Sequence, residues 1–206
     1  MFIALRRPIA ALSLAALAAM AMVARAPAQD AANDANKAVA EKAQLCATCH
    51  GASGVPIDKT IPVIWGEQAG YLYLQLRDFK SGARKNPVMG PIAQTLQHDE
   101  MLALAEYFSK KPWPQLGQPP APAAVIAKAD RTNTSIGCTG CHQGEYQGAG
   151  TQPRLAGQRR EYLESQMLAF RDGSRGNNPG MSDLMKAASK DQLAAMARYL
   201  AGKLVR

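Results

Sequence analysis

All four cysteines of this 206-residue chain lie in two copies of one pentapeptide, Cys46-Ala47-Thr48-Cys49-His50 and Cys138-Thr139-Gly140-Cys141-His142. The pattern C-x-x-C-H is the motif to which c-type haem is attached. Two thiols one helical turn apart can form thioethers with the two vinyl groups of a haem, and the adjacent histidine is then placed under the iron. Two copies that use every cysteine predict two covalently bound haem c groups. The predicted anchors are Cys46, Cys49, Cys138 and Cys141, and the predicted axial ligands on one side of the iron are His50 and His142.

Other chemistries also use cysteines at this spacing. A thioredoxin-like dithiol centre needs one C-x-x-C near a βαβ pattern, and neither copy follows a strand-like run. A zinc site built from all four thiolates has suitable local spacing, but it leaves both histidines unexplained and must bridge about 90 residues. A structural disulfide framework seldom uses C-x-x-C twice. Zinc and dithiol chemistry remain the alternatives to haem at this point.

Residues 1–28 are predicted to be an export signal. Arg6 and Arg7 precede an apolar run of 15 residues from Ile9 to Val23, and 26–28 offer an A-x-A cleavage site. The run is shorter than the roughly 20 residues that a membrane-spanning helix needs, although an uncleaved anchor stays open. Export fits the cysteine chemistry, because haem c is assembled outside the bacterial cytoplasm. The predicted location is therefore the periplasm.

The rest of the chain is a duplication. Four residues reappear 92 positions later, as the pairs Cys46 and Cys138, His50 and His142, Met89 and Met181, and Tyr107 and Tyr199. Others reappear at a spacing of 91, as Pro62 and Pro153, Gly66 and Gly157, Tyr71 and Tyr162, Leu72 and Leu163, Gln75 and Gln166, and Phe79 and Phe170. Such a period indicates a repeated structural unit. Five prolines within 111–122 favour an extended spacer. We predict a first haem domain at 29–111, a linker at 112–124 and a second haem domain at 125–206.

Helical periodicity runs through both units, and no alternating strand pattern stands out. Helices are predicted at 33–45, 68–80, 99–110, 161–171 and 190–203, the last with a capping box of Ser189 and Gln192. The first helix of the second unit is predicted to be short, 123–131, and to end in a polar loop at 132–137. The predicted fold class is all-α, with two tandem haem domains.

Methionines are the candidates for the other axial position. A second protein ligand closes the iron to substrates and favours electron transfer, and a methionine raises the reduction potential. Met89 and Met181 each lie 39 residues after their histidine, behind an Asn-Pro pair in a stretch predicted to be polar and poor in helix. Met185 is the rival in the second unit, but it aligns with Ala93 in the repeat. Met101, Met167 and Met196 fall on apolar helical stripes and are predicted to fill the core.

Charge is unevenly spread. Residues 29–111 carry nine Lys and Arg against nine Asp and Glu, whereas 125–206 carry 12 against seven, a net charge of +5. An exposed basic surface steers a protein toward acidic partners. We hypothesise that the second domain docks on acidic surfaces through five arginines: Arg154, Arg159, Arg160, Arg171 and Arg175.

The chain resembles the cytochrome c4 family, the two-haem periplasmic electron carriers of class I cytochrome c type. The resemblance covers essentially the whole mature chain and rests on 46–51 (CATCHG), 78–89 (DFKSGARKNPVM) and 153–158 (PRLAGQ). It implies two tandem cytochrome c-like folds that meet near a pseudo-twofold axis, with the haem propionates close to that interface. Gln143 and Trp65 depart from the family pattern, which has glycine after the motif and a smaller residue before Gly66.

The expected function is electron transfer, with each haem cycling between ferric and ferrous iron and no substrate transformed. The resemblance implies a quinol-oxidising complex as donor and a terminal oxidase as acceptor, so peripheral association with the membrane is compatible with it. A nucleic-acid partner is not expected. Pro62 and Pro153 are candidates to accept a hydrogen bond from the axial imidazoles, or simply to stiffen loops. The alternatives are a two-haem peroxidase, which needs an open iron, and the haem subunit of a dehydrogenase.

Overall fold

The structure, a computed structural model, describes residues 26–204 and, within them, the side chains of all residues except 26–32 and 35. The predicted export signal lies outside the described residues except for 26–28, and it stays a prediction. The chain divides into two compact units after Glu41. The unit that begins at Lys42 contains both C-x-x-C-H motifs, and it is the unit described below. Its first half is residues 42–111 and its second half is residues 123–204.

Helices account for the regular structure between residues 26 and 204, beside one isolated bridge between Ala149 and Gln152. In chain order they are α1 (Ala26–His50), α2 (Ala69–Ser81), α3 (Met89–Gln94), α4 (His98–Ser109), α5 (Ala123–Ile136), α6 (Cys138–His142), α7 (Arg160–Asp172), α8 (Pro179–Ala187) and α9 (Lys190–Ala201). The predicted all-α class is confirmed for this part of the chain.

The two halves pack their helices in the same way. In the first half, α2 packs against α3 and α4, and in the second half α7 packs against α8 and α9. Helix α9 also packs against α5. The core of the second half is built on Leu193, Met196 and Leu200 of α9, which are almost completely buried. Met101, Met167 and Met196 are buried too, as predicted for core positions.

Helix α5 is longer than predicted. The expected polar loop at 132–137 is wrong, because the helix continues to Ile136 and ends at Gly137, whose φ of 72° is left-handed. Two threonine hydroxyls donate to carbonyls one turn back, Thr132 to Lys128 and Thr134 to Asp130, both at 2.9 Å. Thr132 is fully buried. Tertiary packing therefore outweighs the weak helix propensity of this polar run.

The two candidate methionines lie in short helices and not in the helix-poor loops that we predicted. Met89 is the first residue of α3, and Met181 lies in the first turn of α8. Asn86 Oδ1 accepts hydrogen bonds from the amides of Val88 and Met89, at 2.9 and 2.8 Å. Asn178 Oδ1 accepts from the Met181 amide at 3.1 Å. Asn178 is the N-cap of α8, and its side chain satisfies a free amide of the first turn. Asn86 makes the same bond to the Met89 amide from a position two residues before Val88, the N-cap of α3.

The loop that carries Pro153 depends on Gly148. Its φ is +70°, and a Cβ atom there would lie 2.5 Å from the Gln152 carbonyl oxygen and 2.7 Å from the Arg154 nitrogen. Gly150 in the same loop also has a positive φ, +60°, but a Cβ atom there would meet nothing within 4 Å. Alanine substitutions at these two glycines therefore distinguish the cost of backbone strain, which both share, from the cost of steric overlap, which only Gly148 has.

We expect Gly148→Ala to lower the free energy of unfolding by about 2–5 kcal/mol, since backbone strain of about 1–2 kcal/mol adds to overlap of about 1–3 kcal/mol. Gly150→Ala should lower the free energy of unfolding by the backbone strain alone, about 1–2 kcal/mol. Denaturant unfolding of both variants measures the difference. Equal losses would contradict the steric argument.

Candidate functional site

The two motif histidines are buried and fixed in the same orientation. His50 ends α1, is 8% exposed, and its Nδ1 lies 2.8 Å from the Pro62 carbonyl oxygen. His142 ends α6, is 6% exposed, and its Nδ1 lies 2.9 Å from the Pro153 carbonyl oxygen. A carbonyl oxygen only accepts, so Nδ1 carries the hydrogen and Nε2 keeps its lone pair. Of the two interpretations of the prolines, the hydrogen-bonding one is confirmed.

Both imidazoles are held in the form that binds a metal. Burial lowers the pKa of His50 and of His142 from the ordinary value of 6.5, although the hydrogen bond to the proline carbonyl acts in the opposite direction. A neutral imidazole is the ligand form, and the hydrogen bond at the other nitrogen fixes the ring and raises its basicity. This arrangement is typical of an axial haem ligand.

The four cysteines occupy the turn of helix before each histidine. Cys46 and Cys49 lie in the last turns of α1, and Cys138 and Cys141 lie in α6. Burial raises the pKa of the Cys46 and Cys138 thiols. Among the side chains that the structure describes, no group of three or more His, Cys, Asp or Glu is placed to hold a metal ion. The four-thiolate zinc alternative is therefore not formed.

One cavity of about 540 Å³ reaches both motifs. This volume lies within the roughly 300–1,000 Å³ of small-molecule and cofactor sites. All four cysteines, both motif histidines and both candidate methionines line it. Its walls in the two halves are largely aliphatic and aromatic, with Phe79, Leu104 and Phe108 in the first half and Leu163, Phe170 and Leu200 in the second. Such a lining suits the faces of a porphyrin.

The methionines keep the repeat register that the sequence predicts. Met89 and Met181 are half-buried, and the amide of each donates to the side chain of the asparagine three residues before it. Met185 also lines the cavity, but it is 3% exposed and belongs to the core of the second half with Leu193 and Met196. The equivalent placement of Met181 and Met89 favours Met181 over Met185 as the second sulfur ligand.

Two buried arginines join the halves at the middle of the cavity. Arg84 and Arg175 are both 7% exposed and stand 91 positions apart in the repeat. Each donates to the glutamine of its own half and to the glutamine and tyrosine of the other half. The contacts are those of Arg84 with Gln75 (2.8 Å), Tyr162 (3.0 Å) and Gln166 (2.7 Å), and those of Arg175 with Gln166 (2.9 Å), Tyr71 (3.4 Å) and Gln75 (2.9 Å).

This arginine cluster (Arg84, Arg175, Gln75, Gln166, Tyr71 and Tyr162) brings two positive charges together. The hydrogen-bond partners just named are neutral amides and phenols, and all six residues line the cavity. Buried cations need compensation by an opposite charge. The buried carboxylate of Asp78 reaches the cluster only through Asn177 and is already paired with Arg77, so it compensates at most part of this charge. The cluster therefore fits a cofactor that carries its own carboxylates, as haem does. The glutamines and tyrosines match in the sequence repeat, but Arg84 is not among the site residues that the sequence predicts.

The five arginines predicted to steer partners mostly serve inside the protein. Arg175 is buried, and Arg159 donates to the Pro56 carbonyl of the first half at 2.9 Å. Arg154 lies over the Trp113 ring, and Arg171 donates to carbonyls at the end of α8. Only Arg160 of the five is exposed, and it lies 3.9 Å from Glu164. Arg175 is therefore not available to a partner, whereas for Arg154, Arg159, Arg160 and Arg171 the steering hypothesis stays a prediction.

None of the helices within 26–204 has the length and apolar character to span a bilayer.

Comparisons with known proteins agree with this geometry. Residues 127–202 match the cytochrome c family. The chain is 39% identical to a thiosulfate dehydrogenase electron acceptor of Stutzerimonas stutzeri, over 77% of this chain and 79% of the relative. It is 34% identical to cytochrome c4 of Thiocapsa roseopersicina, over 77% and 86% of the two chains. The structure of cytochrome c4 from Acidithiobacillus ferrooxidans superposes with a TM-score of 0.70 at 31% identity, covering 78% of this chain and 99% of that one.

Proposed function

The chain belongs to the cytochrome c4 family of two-haem electron carriers, and from that premise we propose that it passes single electrons in the periplasm from a quinol-oxidising complex to a terminal oxidase. As a member of the family it carries two covalently bound haem c groups and is an electron-transfer protein and not an enzyme. The two tandem cytochrome c-like domains predicted from the sequence agree with the related structure. We further propose domain limits of 29–111 and 125–206, with 112–124 as the linker.

We propose that the repeated residues hold the two haems in equivalent ways. Bound haem supplies the one-electron chemistry of its iron. Cys46 and Cys49 would anchor the first group, with His50 and Met89 as axial ligands. In the second half, the corresponding residues are Cys138, Cys141, His142 and Met181. Arg84 and Arg175 would face the carboxylates of the cofactor from the middle of the cavity.

The single observation that carries the proposal is the shared cavity. Both motifs line it, and the arginine cluster that joins the halves lines it as well. Two redox centres in one cavity are close enough for an electron to enter at one half and leave at the other. Buried imidazoles on one side and thioethers on the other would leave no coordination position for a substrate.

A redox titration followed by optical spectroscopy tests this function. We expect two haems per chain, two one-electron steps, a methionine–iron charge-transfer band from both centres, and no carbon monoxide binding by the reduced protein at neutral pH. Carbon monoxide binding at neutral pH would reveal an open iron and would favour the peroxidase alternative.

The similarity to a thiosulfate dehydrogenase electron acceptor supports a second candidate for the donor. In that case the physiological donor is a thiosulfate-oxidising dehydrogenase in place of a quinol-oxidising complex. Stopped-flow reduction of the oxidised protein by each donor, with thiosulfate or quinol as the electron source, distinguishes them. The physiological donor should reduce the protein with saturable, salt-dependent kinetics, and the other should reduce it slowly.

A further inference from the structure

Gln158 ties the second half to the backbone of the first half through both atoms of its amide. The side-chain oxygen accepts from the Val63 nitrogen at 2.8 Å and from the Arg159 nitrogen at 2.9 Å. The side-chain nitrogen donates to the Val63 carbonyl oxygen at 3.0 Å. Gln158 is 3% exposed. The three bonds give both the oxygen and the nitrogen of the buried amide a partner.

Glu67 takes the same place in the first half, 91 positions earlier, and is also 3% exposed. Its Oε1 accepts from the Arg154 nitrogen at 2.9 Å and from the Gln68 nitrogen at 2.7 Å. Val63 and Arg154 are themselves 91 positions apart. Glu67 therefore repeats the acceptor contacts of Gln158 in the opposite direction across the interface. A carboxylate, however, has no hydrogen to repeat the bond that the amide nitrogen of Gln158 donates.

We propose that Glu67 is a proton-binding site of the interface between the halves, and that its protonated Oε2 donates to the Arg154 carbonyl as Gln158 Nε2 donates to Val63. In this form the carboxylic acid copies the glutamine of the other half, and the two contacts are equivalent. Loss of the proton places a buried negative charge against a carbonyl oxygen and removes one bond between the halves. The contact is thereby linked to pH.

The charged groups around Glu67 do not offer it a salt bridge. The Arg154 guanidinium attracts it but lies over the Trp113 ring at 5.1 Å. Lys111 lies over the Tyr107 ring at 4.1 Å, and Arg159 donates to the Pro56 carbonyl. Burial raises the pKa of Glu67 from its ordinary value of 4.5 to about 8, against the two amide hydrogen bonds and the charge of Arg154, which lower it.

The raised pKa of Glu67 makes the folded protein less stable as the pH rises. Above about pH 5 the unfolded chain has released this proton, whereas the folded protein keeps it up to about pH 8. The folded state thus binds more protons, and stability falls as pH rises through this window. The contribution of the Glu67 proton to the free energy of unfolding is fully present below pH 4.5 and is lost above about pH 8.

Denaturant unfolding of the haem-loaded full chain between pH 5 and 9 tests the proposal. The wild-type unfolding constant should rise by up to about tenfold per pH unit relative to that of Glu67→Gln. The amide of Glu67→Gln donates at every pH, so this variant should lose the dependence and be more stable than wild type at pH 8. Gln158→Glu is the matched control, and it should add a second dependence of the same sign.

Infrared spectroscopy gives a second readout that does not depend on stability. A carboxylic acid band should be present in wild type at pH 6 beside any from the haem carboxylates, should be missing from Glu67→Gln, and should disappear as the pH rises past 8. Equal pH slopes for wild type and Glu67→Gln, or the same carboxylic acid bands in both proteins at pH 6, would overturn the proposal. These readouts are independent of which residues bind iron.

Discussion

Met89→Ala is expected to remove the methionine–iron band of one haem and to lower one midpoint potential by on the order of 0.1 V, a modest part of the roughly 0.8 V that axial ligands span. A neutral thioether stabilises ferrous iron, so its replacement by water or hydroxide favours the ferric state. Met181→Ala should do the same to the other haem. Optical redox titration of each single variant measures both changes.

Met185→Ala is the matched control for Met181. Its sulfur also lines the cavity, but the side chain is packed in the core of the second half. The variant should keep both bands and both potentials while losing about 2–5 kcal/mol of stability, as for a large-to-small core substitution. A band lost in Met185→Ala and kept in Met181→Ala would reverse the ligand assignment.

The sequence predicts the haem-binding residues because haem attachment needs local spacing. Two thiols and a histidine in five residues are informative without any tertiary context, and the repeat predicts their partners 91 or 92 positions away. Helix positions are predicted to within a few residues where apolar periodicity is strong, as in α2, α7 and α9. The capping box of Ser189 and Gln192 is confirmed as well.

What the sequence does not reveal depends on contacts between distant residues. The polar end of α5 is helical because Thr132 is buried in the second half. Arg175 lies in a segment of net positive charge, and this pattern predicts that its side chain is solvated. In the structure it donates to Tyr71 and Gln75 of the other half. The net charge of a segment bears on long-range steering, but it does not indicate which of its guanidinium groups are buried and hydrogen-bonded inside the protein. The repeat alignment held the one usable signal, since Arg84 and Arg175 are also 91 positions apart.

Arg84→Leu tests whether this cluster serves the haems as well as the interface. The variant leaves the Tyr162 hydroxyl and the amides of Gln75 and Gln166 with one donor fewer, so it should lose about 2–4 kcal/mol of stability. It also removes a buried positive charge from the cavity. For a separation of roughly 8–15 Å between the guanidinium and a haem iron, and an effective dielectric constant of about 20, this charge changes the free energy of reduction by about 1–2 kcal/mol. This corresponds to a fall of roughly 50–90 mV in midpoint potential.

Arg84→Lys separates the two effects. Lysine keeps the charge but lacks the planar fork that reaches Gln75, Tyr162 and Gln166 together, so stability should fall while both potentials stay near their wild-type values. Arg175→Leu should reproduce Arg84→Leu, because its contacts mirror those of Arg84. If Arg84→Leu destabilises the protein and leaves both potentials unchanged, the cluster only joins the halves. If the potentials fall together in the leucine variants and not in the lysine variant, the same two charges that hold the halves together also set the affinity of the haems for electrons.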